Sequence, residues 1–236
     1  MVALQKSEVV RRTDVVNENG RELKTIVVAG VASGAGKTSL AEAVIKILAK
    51  NYATAAAKIT VTHGERGCPH GGKGCNVCSS LGGDFQVITK LAITGQAGTD
   101  TARLGAAGAY PVVWTITRHE MIAQAWNAMR TVFVEKELVV IESNTLAQTI
   151  QPALILMIVD PTVSRRLWKP SARQLIETAD FVIFNERGAP DKRETTLKEV
   201  LSLRGSLERV VRVGHPHDVQ DETAVVKKLK AVYEKI

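Results

Sequence analysis

The residues whose identity and order most clearly suit a chemical function lie between Gly30 and Ser39. Three glycines stand there with a lysine and several hydroxyl side chains. Glycines let backbone N–H groups turn inward around phosphate oxygens, a lysine supplies positive charge to the β- and γ-phosphates, and a threonine hydroxyl can hold Mg²⁺. Val31 stands where the strict phosphate-loop pattern has a glycine, and the glycine lies one place earlier. The spacing still predicts a phosphate-binding loop. The predicted nucleotide-binding residues are Ser33, Gly34, Ala35, Gly36, Lys37, Thr38 and Ser39, of which Lys37 is also a predicted catalytic residue and Thr38 a predicted Mg²⁺ ligand.

A phosphate loop works with an acidic partner at the end of a neighbouring buried strand, where a carboxylate reaches Mg²⁺ directly or through water. Two positions satisfy this condition. Glu142 follows the apolar run 138–141, and Asp160 follows the apolar run 154–159. The strand pattern alone does not choose between the two carboxylates.

The three cysteines, Cys68, Cys75 and Cys78, lie within eleven residues of one another. The last two form a C-x-x-C pair, the spacing with which two sulfurs hold one metal ion, and His70 or His63 could complete a tetrahedral Cys₃His zinc site. The same thiolates could hold an iron–sulfur cluster with a fourth ligand from elsewhere. Free thiols in a loop and a redox pair are the alternatives to a metal site. The spacing predicts a metal site and leaves zinc and iron–sulfur open.

The net charge is +7, from 31 Lys and Arg against 24 Asp and Glu, with an isoelectric point near 9.4. A basic surface suits an anionic ligand such as a nucleotide. Aromatic residues are only 4% of the chain and form no basic–aromatic stripe, so a nucleic-acid partner is not expected. No apolar run reaches the ~18 residues of a membrane span, and the first residues are polar, unlike a secretory signal. We therefore expect a cytoplasmic protein without membrane contact.

Hydrophobic periodicity predicts strands that alternate with helices, the pattern of βαβ units in a mainly parallel sheet. Residues 1–24 are predicted to be an N-terminal arm and residues 25–236 one domain, with residues 63–84 a glycine- and cysteine-rich insertion poor in core residues. Strands are predicted at 25–29, 54–61, 85–88, 111–116, 138–141, 154–159, 181–184 and 209–213, and helices after the phosphate loop and at 101–107, 120–129, 171–179, 191–203 and 219–236.

Three segments together resemble a known family: the phosphate loop, the stretch DTARLGAAGA from Asp100 to Ala109, and the strand end Val139–Glu142. They resemble the molybdopterin-guanine dinucleotide biosynthesis adaptor B proteins, P-loop NTPases of the SIMIBI class. The resemblance covers roughly residues 25–160. This chain departs from the family pattern with Ser143 in place of a glycine, with His63 in a different spacing after Lys58, and with the cysteine-rich stretch.

The resemblance implies a three-layer α/β P-loop NTPase fold with a mainly parallel sheet, here with an inserted Cys-rich metal-binding loop. It favours Glu142 over Asp160 as the acidic partner and adds Asp100, so the predicted catalytic residues are Lys37, Glu142 and Asp100. It also places Asn185 where such folds often carry an Asn that contacts the nucleotide base. The sequence from Asn185 to Gly188 is not the guanine-specific motif, so ATP and GTP both stay open.

Two functions agree with these residues. The first is Mg²⁺-dependent binding and hydrolysis of ATP or GTP, coupled to cofactor or metal-centre assembly, by a homodimer that serves a client enzyme or cofactor-assembly protein. The second is a small-molecule kinase, in which Arg165, Arg166 and Lys169 bind the acceptor and the cysteine-rich loop is a structural zinc site.

Overall fold

The computed structural model describes residues 23–62 and 81–234. Its strands are β1 (Lys24–Gly30), β2 (Thr54–Thr62), β3 (Phe85–Ile88), β4 (Val112–Arg118), β5 (Leu138–Glu142), β6 (Leu154–Val159), β7 (Phe181–Asn185) and β8 (Val210–Val213). Its α-helices are α1 (Lys37–Leu48), α2 (Leu91–Thr94), α3 (Asp100–Ala106), α4 (Ile122–Arg130), α5 (Thr145–Thr149), α6 (Ala172–Thr178), α7 (Pro190–Arg204) and α8 (Thr223–Tyr233).

The strands form one eight-stranded sheet in the order β3-β4-β2-β5-β1-β6-β7-β8. All neighbouring pairs are parallel except the edge pair of β3 and β4, which is antiparallel. β1 lies near the centre, with β5 on one side and β6 on the other. The carboxyl ends of these three strands therefore meet at one edge of the sheet, where ligands bind in open α/β sheets.

The central strands are mostly apolar because helices cover both faces of the sheet. Residues Ile26 to Ala29 of β1 have no exposed surface, and every residue of β5 and of β7 is buried. The helices complete a three-layer α/β fold around this sheet. The rigid centre of the sheet fixes the positions of the polar residues that follow each strand.

The predicted fold class is confirmed in its main part, the three layers and the mostly parallel sheet. The strands start and end close to the predicted positions, and β3 coincides with its prediction. The helices α2 and α5 were not predicted. They span only four and five residues, too few for a helical period to show.

Most of the predicted arm (1–22) and of the predicted cysteine-rich insertion (63–80) lies outside the described residues. Lys24, which the sequence assigned to the arm, is the first residue of β1. Among the helices of residues 23–62 and 81–234, none has both the length and the apolar character that crossing a membrane requires.

Candidate functional site

The loop between β1 and α1 has the backbone that its glycines predict. Gly34 and Gly36 have φ angles of 76° and 97°, in the left-handed region that other residues rarely adopt. Gly36 is also the N-cap of α1 and, as a glycine, has no side chain to accept a hydrogen bond from the first turn of that helix. The free N–H groups and the positive end of the helix dipole make this turn suitable for an anion.

Gly30 has a packing role that explains its place in the motif. A Cβ atom at this position would lie 2.7 Å from Cγ of Lys37 and 2.9 Å from Cγ2 of Ile158. A side chain here would therefore displace Lys37. The glycine that the strict pattern puts one residue later is replaced by the buried Val31, whose N–H donates to the Ile158 carbonyl at 3.1 Å.

Asn144 holds Gly30 in place from the neighbouring strand end. Its Oδ1 accepts from the Gly30 N–H at 3.1 Å, and its Nδ2 donates to the Gly30 carbonyl at 2.9 Å and to Ser171 Oγ at 3.2 Å. The role of Asn144 was not predicted from the sequence. Its position two residues after Glu142, at the end of a buried strand, was the available signal.

Thr38 and Glu142, the predicted Mg²⁺ ligand and its acidic partner, are in direct contact. Thr38 Oγ1 donates to Glu142 Oε2 at 2.9 Å, and Glu142 is only 5% exposed. The register of the sheet places Glu142 beside Val28 of β1 and Lys58 of β2. The resemblance therefore favoured a carboxylate that the fold does bring to the phosphate loop.

Lys58 joins Glu142 to Asp100, the third predicted catalytic residue. Its Nζ is paired with Asp100 Oδ2 and lies 3.4 Å from Glu142 Oε1. Burial alone would lower the pKa of Lys58, but the charge of Glu142 and the bond to Asp100 outweigh it and raise that pKa. Burial would likewise raise the pKa of Asp100, but the hydrogen bond and charge of Lys58 keep it below the usual value. Both groups are therefore charged at neutral pH.

No role was predicted for Lys58, since its contacts depend on strand register.

Lys37 points back over its own loop, where Nζ donates to the Ala32 carbonyl at 2.7 Å. Burial lowers the pKa of Lys37 to about 8. The charge of Glu142 opposes this shift, while the positive charges of Lys169 and Lys58 add to it. The nearby carboxylates therefore do not offset the effect of burial and of the neighbouring lysines on the pKa of Lys37.

A second cluster ties three elements together next to the loop. Arg103 of α3 donates through Nε and Nη2 to both carboxylate oxygens of Glu42 of α1, at 2.9 and 2.7 Å, and through Nη2 to Ser39 Oγ at 3.0 Å. His217, in the 3₁₀ segment Pro216–Asp221, contacts the same carboxylate at 2.9 Å. Neither Glu42 nor His217 was predicted. They lie far apart in sequence and meet only in the fold.

Asp160 and Asn185 form a separate polar pair. Asn185 is fully buried, and its Nδ2 donates to Asp160 Oδ2 at 3.2 Å. Asp160 Oδ1 accepts from the N–H and hydroxyl of Thr162 at 2.8 and 2.6 Å, so this carboxylate is already engaged. Among the described residues, Asn185 Oδ1 has no hydrogen-bond partner. A buried acceptor without a partner costs free energy, which a ligand donor could recover.

The oxygen donors at the loop fit a magnesium ion. The Thr38 hydroxyl and the Glu142 carboxylate are hard oxygen ligands, and Asp100 lies on the other side of Lys58. The predicted ligands Cys68, His70, Cys75 and Cys78, with His63, lie outside the described residues. Within residues 23–62 and 81–234, no group of three or more His, Cys, Asp or Glu side chains is arranged to hold a metal ion.

Comparison with known proteins agrees with this fold. HypB from Helicobacter pylori in complex with nickel is 14% identical, with a TM-score of 0.50 over 89% of both chains. The hydrogenase maturation factor HypB from Archaeoglobus fulgidus is 12% identical, with a TM-score of 0.47 over 89% of this chain and 90% of that chain. A ParA family ATPase from Chlorobium tepidum is 12% identical, with a TM-score of 0.40 over the same shares.

At these identities the likeness to the solved structures shows a shared fold alone. No protein-family model matches the chain, and no curated protein matches it. The finer resemblance to the molybdopterin-guanine dinucleotide adaptor proteins stays a prediction.

Proposed function

We propose that this chain binds a nucleoside triphosphate with Mg²⁺ and hydrolyses the bond to the γ-phosphate. The observation that carries the proposal is the contact between Thr38 and Glu142 at the carboxyl edge of the sheet, directly beside a loop with free N–H groups. The loop and helix N-terminus suit the phosphates, and the hydroxyl and carboxylate suit the metal ion that accompanies them.

Each residue has a separate task in this mechanism. The backbone N–H groups of Ser33 to Ser39 surround the phosphate oxygens, and Lys37 exchanges its bond to the Ala32 carbonyl for the β- and γ-phosphates. Thr38 would hold Mg²⁺, whose charge would offset the negative charge that develops on the phosphates. Glu142 and Asp100 would position water near the ion by accepting hydrogen bonds from it, while Lys58 pairs with both carboxylates and holds them in place.

The first experiment compares the natural protein with Thr38→Val, which keeps the size of the side chain and removes the hydroxyl. We expect turnover in Mg²⁺ to fall by at least about 100-fold, because the lost ligand acts on the metal that stabilises the transition state. Nucleotide binding in the presence of EDTA should change by less than about threefold. Phosphate release and binding of a fluorescent nucleotide analogue measure the two quantities.

The matched control is Thr196→Val, which removes a buried hydroxyl from α7. It should leave both quantities unchanged. A natural protein that binds neither ATP nor GTP would refute the proposal, as would a Thr38→Val variant with full Mg²⁺-dependent turnover.

In this proposal Asn185 contacts the purine base of ATP or of GTP, and which of the two is preferred is a separate question. Its unpartnered Oδ1 is an acceptor, which suits an amino group on the base, and both purines with exocyclic amino groups offer one. Competition between the two triphosphates for the same fluorescent analogue decides the question.

We further propose that nucleotide turnover is coupled to cofactor or metal-centre assembly in a homodimer with a client protein. Two observations support this coupling: the predicted thiolate ligands Cys68, Cys75 and Cys78, and the shared fold with a hydrogenase maturation factor, one example of which is in complex with nickel. The mass of the protein with and without nucleotide tests the homodimer.

The kinase alternative receives less support from the geometry. It needs several free cations for an anionic acceptor, but Arg165 is paired with Glu199 and lies 5.0 Å from the centroid of the Trp168 ring. One of its three predicted cations is therefore engaged away from the phosphate loop. Phosphorylation of an added acceptor by the purified protein would restore this alternative.

A further inference from the structure

We infer that Lys169 is a second lysine for the phosphates and binds the γ-phosphate of the triphosphate. The inference rests on the proposed function and adds a residue to its binding site. The motif supplies only Lys37, whereas Lys169 comes from the segment that follows β6, 132 residues after Lys37 in the sequence (169 − 37).

The backbone of Lys169 is bonded directly to the phosphate loop. Its N–H donates to the Val31 carbonyl at 2.8 Å, and the Val31 N–H donates in turn to Ile158 at 3.1 Å. Two residues further on, Ser171 Oγ accepts from Asn144, which also holds Gly30. These bonds place the Lys169 segment beside the loop independently of any ligand.

The charge of Lys169 interacts with the charges of Lys37, Lys58 and Glu142. Burial lowers the pKa of Lys169, the negative charge of Glu142 opposes the shift, and the positive charge of Lys58 adds to it. The charge of Lys169 also helps to lower the pKa of Lys37. These charge effects agree with the backbone bond to Val31, which places Lys169 beside the phosphate loop.

Lys169 has no partner of its own in residues 23–62 and 81–234. Lys58 is bonded to Asp100 and Glu142, and Lys37 to the Ala32 carbonyl, but no hydrogen bond or ion pair engages the side chain of Lys169. Three lysines and two carboxylates leave one positive charge without compensation. Lys58 already pairs with both carboxylates. The remaining positive charge can therefore bind a phosphate group of the nucleotide.

The test is the preference for a triphosphate over a diphosphate, measured in Mg²⁺ as the ratio of the two dissociation constants. The triphosphate probe is a non-hydrolysable analogue. We expect Lys169→Met to lose about tenfold of this preference, the size of one charge-assisted hydrogen bond, while the diphosphate affinity changes by less than about twofold. Lys169→Arg should recover part of the preference because it keeps the charge. Arg166→Met, which removes a charge from the same segment, is the matched control and should change neither constant.

Three outcomes would overturn the inference while leaving the proposed function in place. They are equal weakening of both nucleotides by Lys169→Met, no effect on either, and the same loss in Arg166→Met. Equal weakening would mean that the residue supports the loop without contacting the γ-phosphate. A natural protein that binds no nucleotide would instead refute the proposed function, and this inference with it.

Discussion

At the scale of single residues, Lys37 stands out because it can lose its charge near physiological pH. Burial lowers its pKa to about 8, so the free protein loses the ammonium charge as the pH rises through about 8. A bound triphosphate favours the charged form and raises the pKa again. We therefore expect the dissociation constant of the Mg²⁺–triphosphate complex to increase by up to about tenfold per pH unit between about pH 8 and 9.5.

Titration of nucleotide binding between pH 7 and 9.5 measures this effect. Lys37→Arg, whose side chain stays charged over the range, should bind with little dependence on pH. Lys169→Met should keep the slope, which would assign it to Lys37, but should move its onset to higher pH because the charge of Lys169 helps to lower the pKa of Lys37. A flat profile for the natural protein would contradict the expectation.

The residues that could be predicted from their spacing alone are those whose role is local. Lys37 and Thr38 follow from the spacing of the loop, which is encoded within ten residues. Lys58 and Asn144 could not be predicted in the same way, because their partners depend on which strands pair and in which register. The packing role of Gly30 was hidden for the same reason, since Ile158 belongs to another strand.

At the scale of elements, the carboxylate of Glu42 connects α1, α3 and the 3₁₀ segment Pro216–Asp221. Burial would raise the pKa of Glu42, but the hydrogen bonds and charges of Arg103 and His217 lower it. A carboxyl group whose pKa is lower in the folded state stabilises the fold above its unfolded pKa of about 4.5, and this stabilisation is lost as the pH falls through the lowered value. The three elements should therefore separate more easily in acid.

We expect Glu42→Gln to lower the free energy of unfolding at pH 7 by about 1–3 kcal/mol, because the Arg103 guanidinium loses its charged partner in a largely buried site. The difference from the natural protein should shrink as the pH falls below about 4.5. Urea denaturation at pH 7 and at several acidic pH values measures both quantities. Glu194→Gln, which breaks the exposed pair with Lys198, is the control and should have little effect at either pH. A difference that stays constant through the acidic range would show that the charge of Glu42 is not the cause.

Elements long enough to show a period were predictable, and the others were not. The buried strands and the longer helices repeat apolar residues in a pattern that the chain itself displays. The antiparallel direction of β3 has no such signal. Four residues can pair with β4 in either direction, and only the path of the chain decides.

At the scale of the whole molecule, the spacing of the cysteines, which lie outside the described residues, predicts a bound metal. We expect protein purified without oxygen to carry either zinc without colour or iron with sulfide and broad visible absorption. Cys75→Ser with Cys78→Ser should lose the metal, because two of the predicted thiolate ligands are removed. Elemental analysis and the absorption spectrum measure both results.

The triphosphate turnover of the same double variant separates two roles of this metal. Unchanged turnover with lower stability would make the metal a structural staple, and altered turnover would support coupling to the nucleotide. Protein that contains no metal at all would remove the basis of the coupling proposal.

The position of β1 in the centre of the sheet has a consequence for synthesis of the protein. Both partners of β1 are encoded late, and 114 residues separate Gly30 from Asn144. At about 5–20 residues per second, a ribosome needs roughly 6–23 s to cover that interval. Throughout it the nascent chain carries Ile26, Val27 and Val28 without the neighbours that bury them. The strand that later presents the phosphate loop is thus the segment most in need of a chaperone during translation, and a stalled ribosome would release it with both edges open to aggregation.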